Sequence, residues 1–318
     1  MKILIIKTSS LGDIIHSFPA IEDIKKKFPN CKIDYLVDNT FLRTARLNKN
    51  IDNFLTISHR EKMNKSIFLR INDLDKELNS IFKNRYYDQI IDLQGLIRTQ
   101  ILGARIRKIT GSKQFNGYDF KSAREALFVF LYDKKIGVSK NLHAVKRMKN
   151  LVASCLDFPP EKDINFGHEI NHLKRENKVV FIHGSSKKSK EYPTENWKKI
   201  ARYLKNYMVD ICIPVNDNEQ RIFFNEINKL NNKAYKLETE DLEKIKNELA
   251  KCSFFIGVDT GFTHICSSFG MSGIFLLAKT DPIKAGPIFN HQKVIRQKSM
   301  DKIDPEEIIL FLKEENFD

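Results

Sequence analysis

The sequence predicts an α/β protein of two doubly wound domains facing each other, and three observations carry that reading. Short apolar runs alternate with stretches of helical spacing, the pattern of parallel sheets. The alternation comes in two series, separated by the polar, proline-containing stretch "DFPPEKDINFGHEINHLKRENK". A chain of 318 residues with 42% hydrophobic content also exceeds what one small core organises. The expected division is a first domain over residues 1–160, a linker over 161–175, a second domain over 176–302, and a closing helix in 303–318 that packs back toward the first domain.

In chain order, "MKILIIK" reads as a buried strand and "IIHSFPAIEDIKKKF" as a helix interrupted near Pro19, since proline removes a helical hydrogen bond. "KIDYLVD" and "YYDQIIDLQG" read as strands, the second ending in a turn, and "SAREALFVFLYD" and "HAVKRMKNLVASCL" have helical spacing. The second series restarts with the strand "KVVFIH", the loop "GSSKKSKEYP" and the helix "TENWKKIARYLKNY", with Thr194 as its expected N-cap. "VDICIPV" is a strand, "NEQRIFFNEINKL" and "DLEKIKNELAKC" are helices, "FFIGVD" is a strand, and "TGFTHICSSFG" enters a helix. "GIFLLAK" reads as the last strand and "DPEEIILFLKEE" as a closing helix with an acidic first turn. The sequence shows no internal repeat.

Charge is divided unevenly. Residues 1–160 hold 29 Lys and Arg against 16 Asp and Glu, whereas residues 161–318 hold 25 against 24. The positive excess lies in the first half, which therefore expects an anionic partner: nucleic acid, a membrane surface or a phosphorylated substrate. No run approaches the roughly 18 apolar residues of a spanning helix, so the expectation is a cytoplasmic protein. Five scattered cysteines without a CxxC pair fit reduced, buried thiols rather than a disulfide or zinc framework. GxGxxG and GxxxxGK[ST] are both absent, which removes the main support for nicotinamide dehydrogenases and P-loop enzymes. "HEINH", His168 to His172, satisfies HExxH but falls in the linker with no third ligand, so a polar connector is the better reading.

Four stretches carry candidate chemistry. "KTSSLGD" puts Lys7, Ser10, Gly12 and Asp13 at a strand-to-helix junction, where open α/β sheets keep ligand sites; Asp13 there is either chemistry or a helix cap. "IDLQGLIRTQ" places Asp92, Gln94 and Arg98 at a similar turn. "VVFIHGSSKKSKEYP" delivers Ser185 and Ser186 to a loop with Lys187, Lys188 and Lys190, hydroxyls and cations suited to a diphosphate. "GVDTGFTHICSSFG" ends a strand at Asp259 and opens a helix, so the NH groups of Thr260 and Gly261 can meet an anion with the helix dipole behind them, and His264 shares that face.

Taken together, "KTSSLGDIIHSFPAI", "DLQGL", "GYDFKSAREAL", "HAVKR", the "HGSSKKSKEYP" loop with Trp197, and "VDTGFTHICSSFG" followed by "TDP" resemble the ADP-heptose:lipopolysaccharide heptosyltransferases, glycosyltransferase family 9. The matches run in order from residue 2 to about residue 287. The resemblance is closest to the branch that adds the first heptose, and it implies the glycosyltransferase B fold and an inverting, metal-independent transfer with no cofactor. It implies ADP-heptose as donor, a Kdo sugar of Kdo-lipid A as acceptor, and peripheral attachment to the inner leaflet of the inner membrane. By resemblance Asp13 is the general base; Ser185, Ser186, Lys190, Asp259, Thr260, Gly261 and His264 bind the donor, with Lys190 also catalytic and Glu219 at the ribose. Lys7, Ser10, Gly12, Gln94, Arg98 and Arg124 fit the acceptor's carboxylates and phosphates. The family's arginine-rich stretch near Arg60 is thinner here, "SHREKMNK". Asn at position 13 would keep a cap and abolish a base, so Asp13→Asn is expected to remove transfer without lowering the melting temperature. Two rivals are a relative with another acceptor, such as a second heptosyltransferase, or another sugar nucleotide, and a non-catalytic nucleic-acid-binding protein. The second lacks the aromatic residues interleaved with positive charge that a stacking platform needs.

Overall fold

A computed structural model describes residues 1–58, 67–168, 170, 173–185, 187–207, 209–215, 217–238 and 241–315, with residues 67–73 and 242 described by backbone alone. The chain forms two compact units, Met1–His168 and Glu169–Asp318, which part inside the expected boundary stretch.

The first unit runs β1 (Lys2–Ile6), α1 (Leu11–Lys27), β2 (Lys32–Asp38), α2 (Leu42–Ala45), β3 (Asn53–Ile57), α3 (Ile67–Phe82), β4 (Gln89–Asp92), α4 (Ile97–Thr110), β5 (Gln114–Tyr118), β6 (Lys134–Ile136) and α5 (Ala144–Cys155). Its six strands are all parallel, in the order β3-β2-β1-β4-β5-β6. Ile3 to Ile6 are fully buried, as a central strand covered on both faces requires. α1 and α5 pack together, and α3 packs with α4.

The second unit runs β7 (Glu176–Ile182), α6 (Thr194–Asn206), β8 (Asp210–Pro214), α7 (Asn218–Leu230), β9 (Ala234–Leu237), α8 (Leu242–Lys251), β10 (Cys252–Val258), α9 (Gly261–Ser268), β11 (Ser272–Leu277), α10 (Pro282–Ala285), β12 (Gln292–Arg296) and α11 (Pro305–Glu314). Its parallel strands lie in the order β12-β11-β10-β7-β8-β9. Counted from its own first strand this is the order of the first unit, so a topological repeat exists that the sequence does not display.

This order creates one switch point per unit. The chain leaves the first strand toward one edge of the sheet and the fourth toward the other, so the loops at their carboxyl ends part and leave a crevice. Register places Ile6 beside Asp92 in the first unit and Ile182 beside Gly257 in the second. The loops after β1 and β4, and those after β7 and β10, therefore start at matched levels.

Several expectations are corrected. α1 runs unbroken through Pro19, because the residues around it, Phe18, Ala20 and Ile21, are fully buried and hold the helix against its neighbours. "SAREALFVFLYD" is not an α-helix; it is a chain of turns with a short 3-10 helix at Val129–Leu131, held by bonds to the turn after β4, to α4 and to β5 that outweigh its periodicity. Thr194 is the first residue of α6, and Pro193 takes the N-cap position. "GIFLLAK" is followed by a further strand, β12. The closing helix α11, expected on the first domain, packs against α6 and gives Ile308, Ile309 and Leu312 to the second unit's core. All five cysteines are buried free thiols.

α4 approaches β5 so closely that a Cβ on Gly103 would overlap the ring of Phe115, which is fully buried. Gly103→Ala is expected to destabilise the protein by about 1–3 kcal/mol through this overpacking. The measurement is the urea midpoint at constant slope, and an unshifted midpoint contradicts the close approach.

Candidate active site

Both units gather charged side chains at their switch points. In the first, Lys7 follows β1 and is 3% exposed, and Asp13 occupies the first turn of α1 with Ser10 at the N-cap. Asp13 Oδ2 lies 3.8 Å from Lys7 Nζ and 3.4 Å from Arg124 Nη1. It also accepts from Ser10 N at 3.4 Å and Ser10 Oγ at 3.5 Å. Asp13 is thus a cap and an ion-pair partner at once, but every one of these contacts falls on Oδ2. Among the described residues Oδ1 has no bond. Burial works to raise the Asp13 pKa, but Lys7, Arg124, His16 and the Ser10 NH outweigh it and hold the carboxyl at about 2. Burial lowers the pKa of Lys7, and Asp13 opposes the shift.

The loop after β4 completes this half. Gln94, 3% exposed, accepts from Ser9 N through Oε1 at 3.4 Å, and Arg98 Nη2 donates to Ser9 Oγ at 2.6 Å. Both hold the "SSLGD" segment from the β4 side, and Gly12 lies beside Asp13 in the same first turn. Asp92, by contrast, makes the turn itself: it accepts from Gln94 N at 2.8 Å, Gly95 N at 3.1 Å and Tyr132 OH at 2.7 Å. Gly95 sits at φ +65, in the left-handed region that glycine enters without strain. A small pocket opens among Lys7, Asp13, Gln94, Tyr118, Arg124 and Arg147. Arg147, its guanidinium 4.9 Å from the centre of the Tyr118 ring, was not singled out from the sequence although it ends the quoted "HAVKR".

In the second unit Lys190 and Asp259 form the centre. Lys190 Nζ donates to Asp259 Oδ2 at 2.6 Å, the Thr280 hydroxyl donates to the same oxygen, and His264 Nε2 lies 3.7 Å from Oδ1. Burial opposes ionisation of Asp259, but His264, Lys190 and Thr280 prevail and hold its carboxyl well below the usual range. Thr280, the first residue of "TDP", is the member that sequence reasoning quoted without assigning a role. Thr260 is the N-cap of α9 and makes no side-chain cap bond, so its hydroxyl does not satisfy the first NH groups of the helix. Gly261 is the first residue of that helix. Ser185 lies in the loop after β7, where its Oγ accepts from Lys187 N at 3.4 Å; Ser186 lies outside the described residues. Glu219 is exposed in the first turn of α7 and is not part of the Lys190–Asp259–His264–Thr280 cluster. Most of "SHREKMNK", and Glu169, Asn171 and His172 of "HEINH", also lie outside the described residues.

Each doubly wound unit thus carries its own cluster of charged side chains at its switch point, and comparison with known proteins gives the family. The chain belongs to glycosyltransferase family 9 (heptosyltransferase), whose pattern matches residues 76–308. It is 26% identical over 302 residues to lipopolysaccharide heptosyltransferase 1 of Escherichia coli K12, covering 93% of each chain. It is also 26% identical over 288 residues to lipopolysaccharide heptosyltransferase 1 of Pseudomonas aeruginosa, covering 89% of this chain and 80% of that one. Among solved structures, Escherichia coli heptosyltransferase WaaC with ADP superimposes with a TM-score of 0.88 at 24% identity over 99% of both chains. Escherichia coli ADP-heptose lps heptosyltransferase II follows at 0.74 and 18%, over 99% of this chain and 100% of that one. The fold is therefore that of the glycosyltransferase B enzymes, and the protein is a glycosyltransferase; the reading as a non-catalytic nucleic-acid module is set aside. Among the described residues no helix is long and apolar enough to cross a membrane.

The Lys7–Asp13 pair revises one expectation. Asparagine at 13 would leave Lys7 buried beside Arg124 without its carboxylate, so Asp13→Asn is expected to lower the melting temperature at pH 7 by a few degrees, contrary to the sequence reading. Folding holds the Asp13 pKa at about 2, against roughly 3.9 in an unfolded chain. The ionised carboxylate thus contributes stability above about pH 4, and that contribution is lost as pH falls toward 2. The gap between wild type and Asp13→Asn is expected to close over that window in thermal melts, and a gap independent of pH contradicts the pairing.

Proposed function

We propose that this protein transfers L-glycero-D-manno-heptose from ADP-heptose to a Kdo sugar of Kdo-lipid A, adding the first heptose of the lipopolysaccharide inner core with inversion and without a metal. The observation that carries the reading is Asp13: an ionised, cation-ringed carboxylate whose Oδ2 is held while Oδ1, among the described residues, is unengaged. Support also comes from curated relatives named lipopolysaccharide heptosyltransferase 1, and from the solved structure of WaaC with ADP-2-deoxy-2-fluoro heptose.

In the proposed step the Kdo hydroxyl oxygen attacks the anomeric carbon from the face opposite ADP, and its proton passes to Asp13 Oδ1. The bond from that carbon to the β-phosphate oxygen breaks, and its electron pair leaves with ADP. Lys190, the Ser185 hydroxyl and the NH groups of Thr260 and Gly261 stabilise the charge that develops there. A carboxyl held at about 2 is a weak base at rest, but two effects relieve this. The hydroxyl acidifies as its bond to the sugar forms, and carboxylates or phosphates of the acceptor that pair with Lys7 and Arg124 draw those cations away from Asp13. Gln94 and Arg98 hold the loop that carries Ser10, Gly12 and Asp13. Asp259 and His264 lie where a sugar and its diphosphate meet Lys190, and Glu219 is assigned to the ribose. The basic first unit keeps the enzyme at the anionic cytoplasmic face of the inner membrane, peripherally and in a salt-sensitive way.

The test is mass spectrometry of Kdo-lipid A incubated with enzyme and ADP-heptose. A gain of one heptose is expected; no gain, or a gain only on an acceptor that already carries heptose, overturns the assignment. Asp13→Asn is expected to lower turnover by about 10²–10⁴, and Lys190→Ala to lower turnover and ADP affinity together, by roughly 10²-fold in rate. A near-normal rate in either variant removes that residue's role.

A further inference from the structure

The segment between β5 and β6 exposes three large apolar side chains alongside Lys121, Arg124 and Glu125. Phe120 is 55% exposed, Leu127 65% and Phe130 60%, three large apolar side chains within eleven residues. Their exposure does not come from a loose chain. Ala123 N donates to Asp119 O at 2.9 Å, Glu125 N to Gly95 O at 3.1 Å and Phe128 N to Gln100 Oε1 at 3.0 Å, while Gln100 Nε2 donates to Glu125 O at 2.6 Å. These bonds tie the segment's backbone to the turn after β4 and to α4, and leave the three side chains on the outer side. A fixed backbone that presents two phenylalanines and a leucine to solvent within eleven residues marks an interaction surface.

The surrounding charge selects the partner. Between residues 101 and 160 there are twelve Lys and Arg against four Asp and Glu. The acidic groups nearest the patch are engaged: Asp119 accepts from Ser122 N at 2.8 Å, Glu125 from Ile97 N at 2.7 Å, and Asp133 pairs with Arg107 at 2.8 Å. Lys121 is exposed within the segment. Exposed apolar side chains with Lys121 among them, in a stretch of net positive charge, are complementary to a bilayer with anionic headgroups, where rings and leucine enter the headgroup–acyl boundary and lysine meets phosphate. The same segment carries Arg124 to Asp13.

We propose that residues 120–130 are the membrane-docking surface of the first unit, with Phe120, Leu127 and Phe130 inserting into an anionic lipid bilayer and Lys121 pairing with its headgroups. The choice of lipid over a protein partner rests on the reading that the acceptor is lipid-linked. Docking through this segment sets Asp13 beside the headgroup layer, where such an acceptor presents its sugar.

The test is cosedimentation of the full-length protein with vesicles of phosphatidylcholine and phosphatidylglycerol that contain no acceptor. Wild type is expected to bind, and to be partly released by salt. The triple variant Phe120→Ser, Leu127→Ser, Phe130→Ser is expected to lose about 10²-fold or more of its partitioning while keeping the wild-type melting temperature, since none of the three is buried. Lys121→Glu is expected to weaken binding at low salt only. Wild-type partitioning by the triple variant overturns the proposal. So does a wild-type dimer in sedimentation equilibrium that the triple variant dissociates without any change in vesicle binding, because the patch then joins two copies. Transfer from ADP-heptose to a water-soluble Kdo acceptor, measured in parallel, separates the two readings. Lost vesicle binding with unchanged soluble transfer supports both, whereas lost vesicle binding with no transfer in wild type supports the docking surface and removes the proposed reaction.

Discussion

A lysine taken out of water at the end of a central strand must meet a carboxylate, and this requirement organises the first unit's site. Lys7 is 3% exposed at the carboxyl end of β1, and the carboxylate that answers it is Asp13, one turn into the helix that follows. The pairing fixes more than charge. It holds Oδ2 of Asp13 toward Lys7 and Arg124, so that among the described residues Oδ1 is the oxygen without a bond, the one the proposed reaction uses. It keeps the carboxyl ionised at any physiological pH. It also makes basicity depend on what the cations are doing, so an anionic molecule that engages Lys7 or Arg124 alters Asp13 without touching it.

The second unit solves a similar problem with a different stiffness. Lys190 follows its first strand and Asp259 its fourth, and their contact is 2.6 Å where that of Lys7 and Asp13 is 3.8 Å. Thr280 and His264 close around the same carboxylate. A tight, multiply bonded pair positions an ammonium group before a phosphate arrives, as preorganised stabilisation of a leaving group demands. A loose pair lets its cation be drawn off. The two switch points thus share a strand order and a pair of residue types, but their geometries differ, a close multiply bonded pair in the second unit and a wider pair in the first, as the proposed donor and acceptor roles require.

Much of this was legible in the sequence because it is local. Strands β1, β2, β4, β7, β10 and β11 stand out as apolar runs, and the residues that meet at the switch points sit at the ends of β1, β4, β7 and β10, where the junction motifs are. What was missed is non-local. β5 and β6, "QFNGY" and "KKI", are short and polar, and they become strands only by pairing with β4 and with each other. Residues 122–133 have the spacing of a helix, but bonds from Gly95 and Gln100, more than twenty positions away, hold them otherwise. Thr280 and Arg147 join their sites from distant elements, so no spacing rule finds them. The sequence reading of Asp13→Asn leaves out a non-local term for the same reason: position 13 shows a cap in sequence, while its ion pair with Lys7 exists only once β1 and α1 are folded together.

The central claim, that Asp13 stands ionised among cations, is tested most directly by carbon-13 NMR of the side-chain carboxyl resonances as pH is lowered, with Asp13 assigned by its absence in Asp13→Asn. A midpoint near 2 is expected in the free enzyme. A midpoint at the ordinary aspartate value of about 3.9, or above it, would mean that Lys7 and Arg124 do not govern this carboxylate.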